Sequence, residues 1–230
     1  TNNISSSQVK RVFTESEQKV ILDAPQRSQQ FLDSQYLIEL QNDLDAQVKK
    51  YESEIIAAGF IENRNIRGRV IEYLIAGNDD SLKESLIAEL HKKQHPDISP
   101  YDTLNHLGDY ERIFQGFTTA TDVKTKILVL NSNPKAYNLD KLLEFLCDPE
   151  SVFLFYFVGL EPNKVVAQSL ISMFQEDLLD NTILLKHWAG RNSRGVAQFR
   201  GEVVKNLILE PSHIINISKS RDFLAQLLDL

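Results

Sequence analysis

Residues 108–130 read GDYERIFQGFTTATDVKTKILVL, and their pattern decides the fold. Residues 109–117 and 120–130 are rich in aromatic, β-branched and alternating polar side chains. Gly116 marks a turn between them, so the spacing predicts two strands of one hairpin. Side chains alternate along a strand, which puts Asp122, Lys124 and Lys126 on one face and turns Val123 toward a core. If Asp109 lies on the neighbouring strand, its carboxylate can approach that of Asp122.

Working outward, residues 131–134 (NSNP) interrupt the pattern. Residues 135–147 are expected to be helical, with Leu139, Leu142, Leu143 and Leu146 facing inward, and Asp148-Pro149 ends them. Residues 151–160, SVFLFYFVGL, form the unbroken apolar run expected of a strand covered on both faces. Beyond it, residues 165–179 read as helix and 182–188 as a strand leading into a Gly- and Arg-rich loop. A last short strand is expected at 214–217 and a terminal helix at 220–230. Upstream, residues 1–17 read as a loose arm. Residues 35–58 carry Leu37, Leu40, Leu44, Val48, Tyr51 and Ile55 at helical spacing, and Gly59 is the stop. Helices follow at 65–76, ending at Gly77, and at 81–93, where Ser81 and Glu84 match a capping box. The expected fold is α/β: a central mixed β-sheet flanked by helices, with a helical N-terminal region over residues 1–64 and a core over 65–230, together one domain.

The chain has 230 residues, of which 42% are hydrophobic and 25% charged, the composition of a globular protein with a sizeable core. No apolar run approaches the roughly 20 residues of a membrane span. A single cysteine, Cys147, excludes an intrachain disulfide and points to a reducing cytoplasm. His91 and His95 are four apart, but Pro96 follows and no third metal ligand is evident; surface histidines at a helix end are the plain reading. A formal net charge of −7 argues against a general nucleic-acid coat protein, though not against an enzyme with a local basic cleft.

Two carboxylates brought together repel unless a cation sits between them. Magnesium suits Asp109 and Asp122, because it takes oxygen ligands, keeps several waters and accepts a phosphate oxygen. Lys124 would lie beside the phosphate, where it could orient water and stabilise developing negative charge. An Asp-x-Lys tripeptide alone is common, and on its own reads as an exposed strand of alternating charge. Here it has a context: a preceding strand with its own Asp, an apolar continuation, then a buried aromatic strand.

The stretch Gly108-Asp109 … Asp122-Val123-Lys124-Thr125 resembles the active-site signature of the PD-(D/E)xK superfamily of type II restriction endonucleases, in its HincII/EcoRV branch. The resemblance covers residues 68–201, with Gly108 standing where the family often has proline. It implies a restriction-endonuclease-like core, catalytic roles for Asp109, Asp122 and Lys124, and Mg2+ held by Asp109 and Asp122. Glu72, in a segment similar to the early helix that presents a Glu to the metal site, would join them; an Arg69–Glu72 surface pair is the alternative. Residues 131–137 resemble the turn that approaches DNA in that branch, and residues 186–199 its recognition loop.

Between residues 181 and 205, Lys186, Arg191, Arg194, Arg200 and Lys205 face one acid, Glu202, a local charge of +4. Arg, Asn, Ser and Gln are the side chains that read base edges. Arg191, Asn192, Ser193, Arg194 and Gln198 are therefore candidates for DNA contact, with Asn131, Asn133 and Lys135 on the other segment. A solvated loop, and polar residues that cap the following helix, are the plain readings. The expected function is hydrolysis of both strands of duplex DNA at a short palindromic site by a cytoplasmic homodimer, with residues 35–58 a candidate dimer surface. A structure-specific repair or recombination nuclease of the same fold and a non-enzymatic helical interaction protein are the alternatives.

Overall fold

The hairpin forms where the spacing places it. In a computed structural model, β1 (Tyr110–Phe114) pairs antiparallel with β2 (Phe117–Ile127), and Gly116 takes φ 79° in the turn between them. The residues described are 10–59, 61–92, 107–185 and 194–230, Asn65 by its backbone alone. β4 (Ser151–Glu161) runs parallel to β2, and β5 (Lys164–Ser172) returns antiparallel, giving a mixed sheet of order β1-β2-β4-β5. Parallel neighbours need a crossover. Residues 128–150 supply it, with β3 (Lys135–Asn138) and α7 (Leu139–Leu146) inside. β3 joins β6 (Thr182–Leu185) and β7 (Val196–Phe199) in a second, antiparallel sheet of order β3-β7-β6.

Helices cover both faces of the mixed sheet, so β4 is apolar on both sides. One face receives α2 (Ala24–Leu32), α3 (Gln35–Lys50), α4 (Glu52–Ala58), α5 (Arg64–Ala76) and α6 (Asp80–His91). Their Phe31, Leu44, Ile55, Ile71 and Leu86 pack with Val123, Leu154 and Tyr156. The opposite face receives α1 (Glu15–Leu22), α7, α9 (Gly201–Leu209) and α10 (Ile217–Asp229), around Phe153, Phe155 and Phe157. Each fully buried Phe contributes roughly 1.5–3 kcal/mol, which makes β4 the centre of both cores. A short helix, α8 (Glu176–Asp180), precedes β6. No helix among the described residues is long and apolar enough to cross a membrane.

Several elements differ from the sequence reading. Residues 135–138 are strand, because they pair with β7; Asn138 then caps α7 through its side chain, which accepts from the Lys141 amide. Residues 165–172, expected to be helical, complete a hairpin with β4, turned at Pro162–Asn163 with Asn163 at φ 72°. The expected strand at 214–217 is one bridge, Gln175 to Ile215, and α10 starts at Ile217 behind the Asn216 cap. Asp79 rather than Ser81 caps α6. The single helix expected over 35–58 breaks at Tyr51. Its apolar stripe, Leu40, Leu44, Val48 and Ile55, is buried in the chain's own core and is not a free surface for a second subunit.

Candidate active site

β1 leaves β2 at Tyr110, opposite Thr121. Beyond that point β2 is paired only with β4. Gly108 and Asp109 make the parting. The Asp109 amide donates to the Thr121 carbonyl at 2.9 Å, and the Asp109 Oδ2 accepts from the Val123 amide at 2.8 Å. The carboxylate therefore takes the backbone donor that a continuing strand would have taken. Gly108 allows this approach: a Cβ there would lie 3.0 Å from the Thr121 backbone.

Alternation along β2 turns Val123 into the helical core, fully buried, and leaves Asp122 and Lys124 on the other side. Asp122 is 5% exposed, and its Oδ1 lies 2.8 Å from the Lys124 Nζ. Burial pushes the Asp122 carboxyl well above its usual range; Lys124 opposes this, while Asp109, close beside it, adds to it. Burial pulls the Lys124 ammonium down, but Asp122, Glu72 and Asp109 outweigh that and raise it. Lys124 is a firmly charged ammonium.

Glu72 comes from α5 across the open half of β2. Burial, the largest cause, raises its carboxyl to about 7; Lys124 opposes, Asp109 adds, and Arg69 opposes less strongly. The Arg69–Glu72 pairing exists electrostatically, yet Glu72 feels Lys124 and Asp109 more. The structure thus brings Asp109, Asp122, Lys124 and Glu72 together from β2, the segment before β1, and α5.

Among the described residues, no three His, Cys, Asp or Glu side chains form a metal-binding group. The carboxylate pair still fits magnesium, which is held by one or two carboxylates, waters and substrate phosphate rather than by an all-protein cage. Asp109 and Asp122 are hard oxygen donors close enough at a buried point to share a proton, an arrangement a cation would relieve.

Glu72 and Lys124 open onto a cleft of about 1120 Å³, while Asp109 and Asp122 lie behind them and do not line it. Among the described residues its walls carry Arg64, Arg67, Arg69, Lys124, Lys126 and Lys135, against the single carboxylate of Glu72. Asn133, Lys135 and Gln198, candidates for DNA contact, lie on this wall. Asn133 is also committed to the fold, because its Oδ1 accepts from the Gly201 amide at 2.9 Å. Asn131 is exposed on the turn leading into the wall. Arg194 corrects the sequence reading. Its side chain is 1% exposed, its Nη1 lies 2.9 Å from the Asp140 Oδ1, and its Nη2 donates to the Arg11 carbonyl. A guanidinium so enclosed ties the fold and cannot reach DNA. Arg191, Asn192 and Ser193 lie outside the described residues.

Sequence reasoning missed Arg64 and Arg67, and placed Lys126 on the face of Lys124 without giving it a role. Lys126 shares the face of Lys124, as alternation requires, but its Nζ donates to the Leu130 carbonyl (2.5 Å) and to the Ser132 carbonyl (2.9 Å), which pins the turn after β2. Burial and then Lys205 lower its pKa. The signal for the arginines was legible: RNIRGR over residues 64–69 puts three cations in six residues at the start of a helix. Comparison of the chain with protein-family models, with curated proteins and with solved structures finds no match.

Proposed function

We propose that the chain is a magnesium-dependent endonuclease of restriction-endonuclease-like fold that hydrolyses phosphodiester bonds in both strands of duplex DNA at a short palindromic site. The carrying observation is the convergence of Asp109, Asp122, Lys124 and Glu72 at the open half of β2, beside a cleft walled by cations. Asp109 and Asp122 would hold magnesium, which when bound supplies charge neutralisation at the phosphate and a more acidic water. Lys124, kept charged by three carboxylates, holds a phosphate oxygen and steadies the negative charge that develops there. Glu72, with its carboxyl near neutrality, accepts or returns a proton at the edge of the site. Cutting both strands of a palindrome calls for a two-fold assembly with one such site per strand, hence a homodimer.

The test is a digest of mixed phage and plasmid DNA, with magnesium or with EDTA, using wild type and Lys124→Ala. Discrete fragments that need both magnesium and Lys124 are expected, and their ends give the recognition sequence. Cleavage confined to flaps, junctions or mismatches would move the assignment to a structure-specific repair nuclease. No cleavage with any divalent metal would remove the nuclease reading.

A further inference from the structure

The first half of α5 is assembled against its own stability. A helix N-terminus favours anions, yet the first turn of α5 has no acidic residue, and Arg64, Arg67 and Arg69 occupy its start. Arg64 and Arg67 are three apart and share a face. Burial, and then Arg64, lower the Arg67 pKa, as expected where like charges are held together. Gly68 stands between the arginines on the cleft wall. A glycine inside a helix weakens it, and here no crowding calls for one: a Cβ would meet only the Glu72 Oε1, at 3.5 Å. A bare helix backbone on a cationic wall is what a ligand needs in order to come close.

We propose that Arg64, Arg67 and Arg69, with Gly68 bare between them, form a phosphate-binding row that grips the DNA backbone next to the scissile phosphate. That the polymer is DNA rests on the nuclease reading; the gathering of charge does not. Arg64 and Arg67 lie one turn apart on one face, and Arg69, about 200° around the helix from Arg67, reaches the same cleft; the three span about 7.5 Å of axis at ~1.5 Å per residue. That is about two steps of a nucleic-acid strand at ~3.4 Å per phosphate along its axis. It is joined to the reacting centre, because Arg64, Arg67, Arg69, Lys135 and Lys124 line the same cleft. Successive phosphates are the ligand class that satisfies three cations spread along one cleft. A single orthophosphate would engage only part of it.

The experiment measures binding of a labelled duplex in EDTA across a series of potassium chloride concentrations. Wild type, Arg64→Gln, Arg64→Gln/Arg67→Gln and Gly68→Ala are compared, each with its Tm. Each phosphate contact contributes about 0.9 to the slope of log K against log salt. The slope is expected to fall by about 1 in the single variant and about 2 in the double. Gly68→Ala should bind several-fold more weakly while its Tm rises. If the double variant does not fold, exposed Arg64→Gln and Gly68→Ala carry the test. Slopes that do not change, or orthophosphate displacing the duplex as well as a short oligonucleotide does, overturn the proposal. Magnesium-dependent cleavage with unchanged slopes would keep the nuclease and remove the row. Reduced slopes without cleavage would keep the row and remove the nuclease.

Discussion

The two halves of β2, FTTAT and DVKTKI, differ in charge and in neighbours. Over residues 118–121 the strand is paired on both sides, by β1 and by β4. Its hairpin also packs through Phe114 and Phe117 against Phe31 of α2 and Tyr36 of α3. Over residues 122–127 it is paired on one side alone, and there Asp122, Lys124 and Lys126 stand. The difference teaches how a sheet makes a site. Where the ladder stops, a backbone donor must find another partner. Asp109 provides it, and in doing so fixes a carboxylate beside Asp122. Damage to the paired half should therefore be read in stability, and damage to the open half in charge and activity.

The largest effect is expected from the paired half. Phe31 is fully buried, with ring centroids 5.7 Å from Phe114 and 5.4 Å from Phe117. Phe31→Ala should cost about 3–5 kcal/mol, the range for deleting a buried aromatic. Urea unfolding at an unchanged m-value would measure it. A loss below about 1 kcal/mol would mean that the helical layer does not support the hairpin, and the contrast between the halves would fail at its first term.

Much of this was legible in the sequence. The hairpin and the shared face of Asp122 and Lys124 follow from alternation, and β4 from its unbroken apolar run, both local properties of the chain. The β5 strand was misread because KVVAQSLIS carries apolar residues that suit either period, and only its pairing with β4 decides. The turn signal Pro162-Asn163 was available to correct it. The strand character of residues 135–138 was not local at all, since it depends on β7, more than fifty residues away. At the site, the approach of Asp109 to Asp122 could be inferred from spacing. The inward turn of Arg194 could not, because Asp140 and the Arg11 carbonyl come to it from distant parts of the chain. The clustered charge of the arginine row was legible but its role was not, because its segment reads as an ordinary helix, and only the folded chain brings its charges to one cleft.

The open half should show itself in pH. The Glu72 carboxyl is raised from 4.5 to about 7 by burial first and Asp109 second, against Lys124. Between those values the folded chain keeps a proton that the unfolded chain has lost, so stability falls as pH rises. The displacement corresponds to on the order of 3 kcal/mol when complete. Asp122, raised in the same direction, steepens the fall. In metal-free buffer the Tm should therefore drop between pH 5 and pH 8. Glu72→Gln should flatten that drop, and Asp122→Asn should raise the Tm at pH 8 while abolishing magnesium-dependent cleavage. Magnesium should raise the wild-type Tm more at pH 8 than at pH 5, since at the lower pH it must displace protons. A wild-type Tm that does not change across this range in EDTA would contradict the burial of charge at the open half.

The smallest energies give the sharpest comparison, because two glycines stand at the two ends of the same hairpin. Gly116, in the turn of the paired half, has φ 79° and nothing within 4 Å of the position a Cβ would take. Gly116→Ala costs only the left-handed backbone, roughly 1–2 kcal/mol. Activity per folded molecule should be unchanged. At Gly108 the stability loss should be of similar size, about 1–3 kcal/mol for overpacking, but its origin differs. A Cβ there meets the Thr121 amide and carbonyl at 3.0 Å, and backbone in a paired strand does not yield. The residue that shifts is its neighbour Asp109, whose Oδ2 is held 2.8 Å from the Val123 amide. Displacing a catalytic group by about 1 Å can cost on the order of 100-fold in rate. Gly108→Ala should therefore lower kcat at least 10-fold at a temperature where both variants are fully folded. Equal activity in the two variants would show that Asp109 does not depend on the parting of β1 from β2.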